Sequence, residues 1–293
     1  MPVYNGEQWI EESIDFILEQ SMDDFELIIA DNASTDNTEQ ICRALAERDG
    51  RVRYHRNPTN IGLYRNFDRV FELANGKYFK WSADSDFCLD GFFEKCVAVL
   101  ENRPDVVLAY PRAFLMLKDE NGEEYAMEYF DDFNLQDEQP STRFRKYLGR
   151  EKINNIMHGI IRTSALRQTR LILPWAGSDI SMVAELSLRG KFVEVPDRLF
   201  VRSFDAETSS MLMNRSTAAK RDVPIGRTLR QRFLLHAYRY VTTASAPIAF
   251  SEKLNVWLYL LSDHAKLPFR LARRAAGLLL GPLLRRRQAP VGH

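Results

Sequence analysis

The sequence contains few cysteines, no excess of charge and no long apolar run, and each of these gaps excludes a class of protein. Three cysteines in 293 residues are too few for a disulfide-built domain and favour reduced thiols in a cytoplasmic protein. Forty basic residues balance forty acidic ones, so the net charge does not point to nucleic acid. The longest nearly apolar run, Ala275 to Leu284, is far shorter than the roughly 20 residues of a membrane-spanning helix. The residues after Met1 lack the pattern of a secretion signal.

What the sequence does contain is an alternation of strand-like and helix-like segments. Short apolar runs that predict strands are separated by segments with apolar residues at helical spacing; the runs are Phe25–Ala30, Val52–His55, Tyr78–Trp81 and Val106–Tyr110. This alternation predicts an α/β fold with a mostly parallel sheet flanked by helices. After about Arg227 the pattern is helical only, and the polar stretch Glu207–Asp222 marks a boundary. We therefore expect an α/β domain over residues 1–210 and a helical extension over 211–293.

Acidic residues follow two of the predicted strands directly. Asp31 and Asp36 stand in one polar loop, and Asp84 and Asp86 stand in another. In an open parallel sheet, ligands bind beyond the carboxyl ends of the strands. Carboxylates gathered there repel one another unless a cation is present, and carboxylate oxygens suit Mg²⁺ or Mn²⁺. Either loop alone is equally compatible with a solvated turn or a helix N-cap.

Four segments in a fixed order carry a resemblance to a known family. They are PVYNGE (Pro2–Glu7), FELIIADNASTDNT (Phe25–Thr38), NPTNIGLYRNF (Asn57–Phe67) and GKYFKWSADSDF (Gly76–Phe87), with a weaker fifth over Gly177–Pro196. Together they resemble family 2 of the glycosyltransferases, which have the GT-A fold. The resemblance covers roughly residues 1–210. It implies an inverting enzyme that moves a sugar from a nucleoside-diphosphate sugar to a hydroxyl of a glycan or lipid-linked acceptor.

The resemblance also implies which residues bind the nucleotide. Pro2, Val3 and Tyr4 match positions that line the base. Asp31 matches the carboxylate that accepts a hydrogen bond from a base N–H, as suits uracil, thymine or guanine. Arg65 matches a position near the base or the phosphates. For Tyr4, ordinary packing in the core is the alternative.

Further matches imply the metal-binding and catalytic residues. Asp84 corresponds to a residue near the ribose, and Asp86 to a ligand of Mg²⁺ or Mn²⁺ that bridges the diphosphate. Asp179 occupies the place of the general base, with a helix-start aspartate as the alternative and Glu185 as the next candidate base. Asp205 stands about where many relatives have a histidine ligand; it is either a metal ligand or a loop residue. His158, within the apolar run IMHGIIR, is expected to be a satisfied interior histidine.

The two ends of the chain depart from the family pattern or extend beyond it. Relatives have a strand of about five apolar residues before the PVYNGE-like segment, and here that strand is missing, so we expect a gap in the sheet. At the other end, residues 264–293 contain seven Lys or Arg and no Asp or Glu, interleaved with leucines. A basic amphipathic segment of this kind either contacts an anionic membrane or packs on the domain with a solvated face. We expect a cytoplasmic protein with peripheral contact at the inner face of the membrane.

Two competing functions are weighed against the enzyme. One is a non-catalytic nucleotide-sugar-binding relative, disabled by the missing strand. The other is a sugar nucleotidyltransferase, which would need a Gly-rich loop with a basic residue for the triphosphate. The segment PVYNGE offers no such loop. We therefore favour the glycosyltransferase.

Overall fold

In the computed structural model, which describes residues 1–119, 121–129, 131, 133, 135–149, 153–175, 177–204 and 229–263, the strands form two sheets. The strands are β1 (Pro2–Val3), β2 (Leu27–Asp31), β3 (Val52–Arg56), β4 (Tyr78–Phe79), β5 (Asp86–Cys88), β6 (Val106–Lys118), β7 (Glu124–Tyr129), β8 (Ile160–Arg162) and β9 (Lys191–Ser203). The helices are α1 (Ile10–Leu18), α2 (Thr38–Arg48), α3 (Leu63–Leu73), α4 (Phe92–Asn102), α5 (Pro140–Gly149), α6 (Thr163–Leu166), α7 (Ser178–Ser187) and α8 (Leu229–Ser245), followed by a helical segment over 250–263, here α9.

The α/β class predicted from the sequence is confirmed, and the structure divides its strands between two sheets. The first sheet has the order β1-β2-β3 and is parallel throughout. The second has the order β4-β8-β6-β9-β5, with β7 paired to β6. In the second sheet β6 and β9 are parallel, and the other pairs are antiparallel. The parallel first sheet carries the predicted nucleotide-binding loops at its carboxyl edge.

Apolar patterning explains why these segments adopt their structures. All five residues of β2 are buried, as expected for a parallel strand covered on both faces. Helix α1 buries Ile10, Ile14 and Ile17, which are spaced to form one face. Helix α7 starts after Gly177, whose φ of 83° lies in the left-handed region that glycine adopts without strain.

The sequence predicts that a strand before Pro2 is missing, and the first strand of the structure is the two-residue β1. Only Pro2 and Val3 pair with β2, and the buried amino group of Met1 donates to the Ile28 carbonyl oxygen over 2.6 Å. A cavity of about 590 Å³ is lined by Met1 and by residues of β2 and β4 that include Leu27, Ile28 and Phe79. Burial lowers the pKa of the Met1 amino group to about 5.

The C-terminal helices pack on the α/β part. Tyr238 of α8 donates to Glu185 of α7 over 2.7 Å, and Val256 and Leu260 of α9 are buried in the main apolar core. The expected boundary near residue 210 lies outside the described residues, so the division into 1–210 and 211–293 stays a prediction. Among the residues described, no helix combines the length and apolar character needed to cross a bilayer.

Candidate active site

The loops that follow β1 and β2 are joined by hydrogen bonds at the carboxyl edge of the first sheet. Asn5 accepts a bond from the Thr35 main-chain N–H at 2.8 Å, and its own N–H donates to Ser34 Oγ at 2.9 Å. The Gly6 N–H donates to Thr38 Oγ1 at 2.8 Å. The first two family segments therefore form one surface.

The residues expected to line the base occupy two different environments. Pro2 and Val3 form β1 and are buried, so they support the site from beneath. Tyr4, the next residue, is 48% exposed at the rim. Tyr4 is therefore not a core residue, and its ring is accessible to a planar base.

Asp31 lies at the carboxyl end of β2, is fully buried and is fully hydrogen-bonded. Its carboxylate accepts bonds from the Ser34 N–H (2.8 Å), Ser34 Oγ (2.6 Å), Tyr54 OH (2.6 Å) and Arg56 Nη1 (2.5 Å). Burial alone would raise its pKa, but the bonds from Ser34, Tyr54 and Arg56 outweigh burial and hold the pKa below its usual value. A carboxylate has about four acceptor positions, so all of them are taken by protein donors.

Asparagine side chains hold the third family segment against the first two, a network that the sequence did not predict. Asn66 of α3 donates to the Ala30 carbonyl oxygen at 2.8 Å and accepts from Asn57 at 2.9 Å. Asn57 also donates to Asn32, the residue after Asp31, at 3.2 Å. Arg65, next to Asn66 on the first turn of α3, is exposed. The network thus places Arg65 near the loop where we expect the nucleotide.

Asp84 lies against Gly6 in the turn before β5. A Cβ atom added at Gly6 would lie 2.5 Å from Asp84 Oδ2, so the two loops approach each other closely at this glycine. Burial raises the pKa of Asp84. The first and fourth family segments therefore meet at this carboxylate.

Asp86 lies two residues further, on β5, and is almost completely buried. It is paired in register with Arg202 of β9. Burial raises its pKa to about 6, against the opposing effect of the nearby Arg202 and Lys80 charges. Asp86 is therefore a buried carboxyl whose charge the nearby cations only partly stabilise.

His158 faces this carboxyl. Its Nδ1 lies 3.7 Å from Asp86 Oδ2 and has no hydrogen-bond partner among the described residues, while its ring stacks on Phe200 at 5.5 Å. Burial, and then the Arg202 and Lys80 charges, lower the pKa of His158 well below its usual value, so the imidazole is neutral. The expectation of a satisfied interior histidine holds for its burial and for its bond to the Trp81 main chain, whereas Nδ1 has no hydrogen-bond partner among the described residues.

The pair of His158 and Asp86 fits a divalent cation. The His158 ring also bonds the Trp81 main chain, so the unpartnered Nδ1 of the neutral imidazole is its acceptor nitrogen. This nitrogen and a carboxylate oxygen are both acceptors, so their approach is favourable only with a cation or a proton between them. These two residues alone do not complete a metal site: within the described ranges, no three His, Cys, Asp or Glu side chains cluster as metal ligands. Asp205, the second predicted ligand, lies outside the described residues.

Asp179 lies in the first turn of α7 and is held by a side chain from another element. Asn154 Nδ2 donates to Asp179 Oδ2 at 2.6 Å, and Tyr147 OH of α5 donates to Asn154 Oδ1 at 2.5 Å. Asn154 precedes the 3₁₀ turn Asn155–His158. One short segment therefore contacts the predicted base at its start and faces the predicted metal ligand at its end.

Glu185, the second candidate for the base, is unsuited to that role. It is 1% exposed and accepts hydrogen bonds from Tyr238 OH at 2.7 Å and from the Arg170 N–H at 3.2 Å. Its other oxygen pairs with Arg189 at 3.0 Å. Glu185 therefore ties α8 to α7 and does not reach an acceptor.

The fold and the loops gathered at the carboxyl edge of the first sheet are those of an α/β protein that binds its ligand at that edge. Residues 1–172 match the profile of Glycosyl transferase family 2, and the chain belongs to that family. The uncharacterised glycosyltransferase MJ1057 of Methanocaldococcus jannaschii is 31% identical over 124 residues, which are 42% of each chain. Glycosyltransferase GlyG of Streptococcus pneumoniae is 29% identical over 109 residues, 37% of this chain and 36% of that protein. The alignments thus span about two fifths of each relative's length.

Solved structures show the same fold at low sequence identity. Residues 1–349 of S. aureus TarS in complex with UDP-GlcNAc superpose with a TM-score of 0.60 over 95% of this chain and 74% of that chain, at 16% identity. The mannosyltransferase PcManGT from Pyrobaculum calidifontis, in complex with GDP-Man and Mn²⁺, gives 0.51 over 98% and 85%, at 14% identity. These likenesses establish the GT-A fold.

Proposed function

We propose that the protein is an inverting, divalent-metal-dependent glycosyltransferase that moves a sugar from a nucleoside-diphosphate sugar to a hydroxyl of a glycan or lipid-linked acceptor. The observation that carries the proposal is the segment 153–158. Asn154 fixes Asp179 at one end of it, and His158 faces Asp86 at the other. Family membership and neighbours with bound UDP-GlcNAc or GDP-Man support a nucleotide-sugar donor.

The metal side of the proposed site consists of Asp86 with His158, and with Asp205 as a further predicted ligand. When bound there, Mg²⁺ or Mn²⁺ neutralises the charge that develops on the departing diphosphate. Asp86 would supply a carboxylate oxygen and His158 would supply the lone pair of its Nδ1, which has no partner among the described residues. The Mn²⁺ in the PcManGT structure supports a metal-dependent family mechanism.

The acceptor side of the proposed site consists of Asp179 and the residues that orient it. Asp179 takes the proton of the acceptor hydroxyl as that oxygen attacks the anomeric carbon opposite the diphosphate. The Asn154 amide holds Asp179 Oδ2, and no described residue donates a hydrogen bond to Oδ1, which can therefore take the hydroxyl proton. Attack from that side inverts the anomeric centre and needs no covalent intermediate. We expect the nucleotide on the surface formed by Tyr4, Arg65 and Asp84, with the buried Asp31 behind that surface.

The setting of the reaction is also a proposal. We infer a cytoplasmic enzyme whose acceptor is made at or near the inner face of a membrane. The basic segment 264–293, on which the expected membrane contact depends, lies outside the described residues, so the support comes from its sequence alone.

Donor hydrolysis and transfer, measured against UDP-, GDP- and dTDP-sugars with Mn²⁺, Mg²⁺ or a chelator, test the proposal. We expect turnover of at least one donor, lost with the chelator and in Asp86→Ala. Asp24→Ala, which removes an exposed carboxylate, is the matched control. Tight donor binding without turnover would instead support the non-catalytic alternative.

Metal binding gives a readout that does not depend on turnover. The paramagnetic resonance signal of free Mn²⁺, titrated with protein and nucleoside diphosphate, reports the dissociation constant. We expect His158→Phe, which keeps the stacking on Phe200, to weaken Mn²⁺ binding about 10- to 100-fold. Unchanged Mn²⁺ affinity in this variant would remove His158 from the metal site.

A further inference from the structure

The outer face of α9 carries a row of exposed apolar side chains. Phe250 is 70% exposed, Leu254 44%, Leu258 56% and Leu261 57%. Their spacing of four, four and three residues places them on one side of a helix. We call these four residues the apolar stripe. A surface helix normally turns polar residues outward, so a continuous apolar row of this kind marks an interaction surface.

The opposite face of α9 is already buried in the protein. Val256 and Leu260 are completely buried in the main core. Trp257 Nε1 contacts the Tyr240 carbonyl oxygen of α8 at 3.4 Å, and its ring lies edge-on to Phe250 at 6.3 Å. The helix is therefore anchored, and the stripe is held outward as a fixed surface.

The acidic side chains of α9 point toward the protein and away from the stripe. Glu252 accepts a hydrogen bond from the Ser141 N–H at 2.8 Å, and Asp263 lies 4.0 Å from His236 Nε2. The exposed polar residues of α9 are uncharged: they are Ser251, Asn255 and Ser262. No acidic group of α9 would thus oppose an anionic partner at the stripe.

The sequence that follows α9 is strongly basic. Residues 264–293 contain seven Lys or Arg and no Asp or Glu. The cations are Lys266, Arg270, Arg273, Arg274 and Arg285–Arg287. An apolar surface and a cluster of positive charge are thus adjacent in one chain, which is the pair of signals that stable binding to an anionic bilayer requires.

We propose that the apolar stripe docks on an anionic lipid bilayer and enters its interface; the cations that follow α9 in the sequence favour an anionic surface over a neutral one. A second copy of the chain fits less well, because it would bring two segments with seven cations each into the same region. An anionic bilayer satisfies both features at once. The proposal goes beyond sugar transfer and does not depend on it.

Flotation of the full chain with lipid vesicles tests the proposal. One set of vesicles contains phosphatidylcholine with phosphatidylglycerol, and the other contains phosphatidylcholine alone. We expect the protein to float with the anionic vesicles and to be released by high salt. The variant Leu254→Ser, Leu258→Ser, Leu261→Ser should lower the partition coefficient at least tenfold. The control Ser251→Ala, Asn255→Ala, Ser262→Ala changes the same helix and should stay within about twofold of wild type.

Thermal unfolding and donor hydrolysis verify that the stripe variant is folded. Phe250→Ser is a milder second variant, and we expect it to lower the partition coefficient severalfold. Anionic vesicle binding that both variants retain would overturn the proposal. So would a wild-type chain that binds neither vesicle, or a lipid-free dimer that forms through the stripe in place of vesicle binding.

Discussion

Asn154 donates its side-chain amide to Asp179 Oδ2 over 2.6 Å, although 25 residues separate the two in sequence. Asn154 is buried and has a φ of 57°, in the left-handed region that asparagine tolerates better than most residues. The side-chain oxygen of Asn154, Oδ1, accepts in turn a hydrogen bond from Tyr147 OH. Tyr147 of α5 therefore orients Asn154, and Asn154 orients the proposed base Asp179.

The first prediction concerns this asparagine as a positioning residue. Asn154→Gly keeps the backbone conformation and removes the amide, so we expect transfer to fall about 10- to 100-fold with the donor KM nearly unchanged. Tyr147→Phe should give a smaller loss in the same direction. Initial rates at varied donor and acceptor concentrations provide the measurement. A parallel loss of donor affinity would show instead that Asn154 supports the nucleotide surface.

The second prediction separates the proposed base from its neighbour on α7. Asp179→Asn should leave donor binding intact and cut transfer about 10²- to 10⁴-fold, because the amide cannot take the hydroxyl proton. Glu185→Gln should do the opposite: it loses the buried ion pair with Arg189 and should lower the free energy of unfolding by about 1–3 kcal/mol with transfer largely kept. Near-normal transfer by Asp179→Asn would make that residue a structural helix-start aspartate.

The sequence was sufficient to predict the α/β class and the place of Asp31 at a strand end, because both depend on local patterns. Asp31 ends a buried apolar strand, whereas Asp84 and Asp86, expected together in one loop after the Tyr78–Trp81 run, lie in the turn before β5 and on β5. A carboxylate after such a run is carried to the carboxyl edge by the topology of the sheet.

The partners of these aspartates could not be predicted, because they depend on strand register and on contacts between distant segments. Asp31 meets Arg56 because β2 and β3 pair with those residues opposite each other. His158 faces Asp86 although the two are 72 residues apart in the sequence. The sequence shows only that His158 stands in an apolar run. A histidine in an apolar run gives no indication of which carboxyl it will face.

The third prediction concerns the pH dependence of stability at Asp68 on α3. Burial raises its pKa to about 6, and its Oδ1 has no hydrogen-bond partner within the described part of the chain. The folded state then holds the proton more tightly than the unfolded state, whose value is near 3.8. The stability that this group contributes is thus present at low pH and is lost as the pH rises from about 4 through about 6.

Asp68→Asn should remove the loss of stability that accompanies ionisation of Asp68. The amide is uncharged and can still accept the bond from the Ile172 main chain. We expect the free energy of unfolding to rise by about 1–2 kcal/mol at neutral pH, after allowing for partial exposure, and to change little near pH 4. Urea unfolding across this pH range gives the answer, with Glu11→Gln on the exposed face of α1 as control. Equal effects of Asp68→Asn at both ends of the range would contradict the assignment.

The last prediction asks whether Asp31 reads the nucleotide base or only holds its own loop. All its acceptor positions are filled in the structure, by Ser34, Tyr54 and Arg56. A base N–H can bind only by sharing one of those positions. Asp31→Ala should weaken nucleoside-diphosphate binding about 10- to 150-fold under either role, which corresponds to about 1.5–3 kcal/mol for a charge-assisted hydrogen bond.

Tyr54→Phe separates the two roles, because it removes one donor to Asp31 Oδ2 and leaves the Ser34 and Arg56 bonds in place. A base-reading Asp31 gains a free acceptor position, so we expect UDP or GDP to bind as tightly as to wild type, or more tightly. A loop-holding Asp31 loses part of its support, and binding would weaken in step with the melting temperature. Calorimetric titration of both variants with each nucleotide decides between the roles. If Tyr54→Phe weakens binding nearly as much as Asp31→Ala, Asp31 acts on the nucleotide only through the loop that it holds.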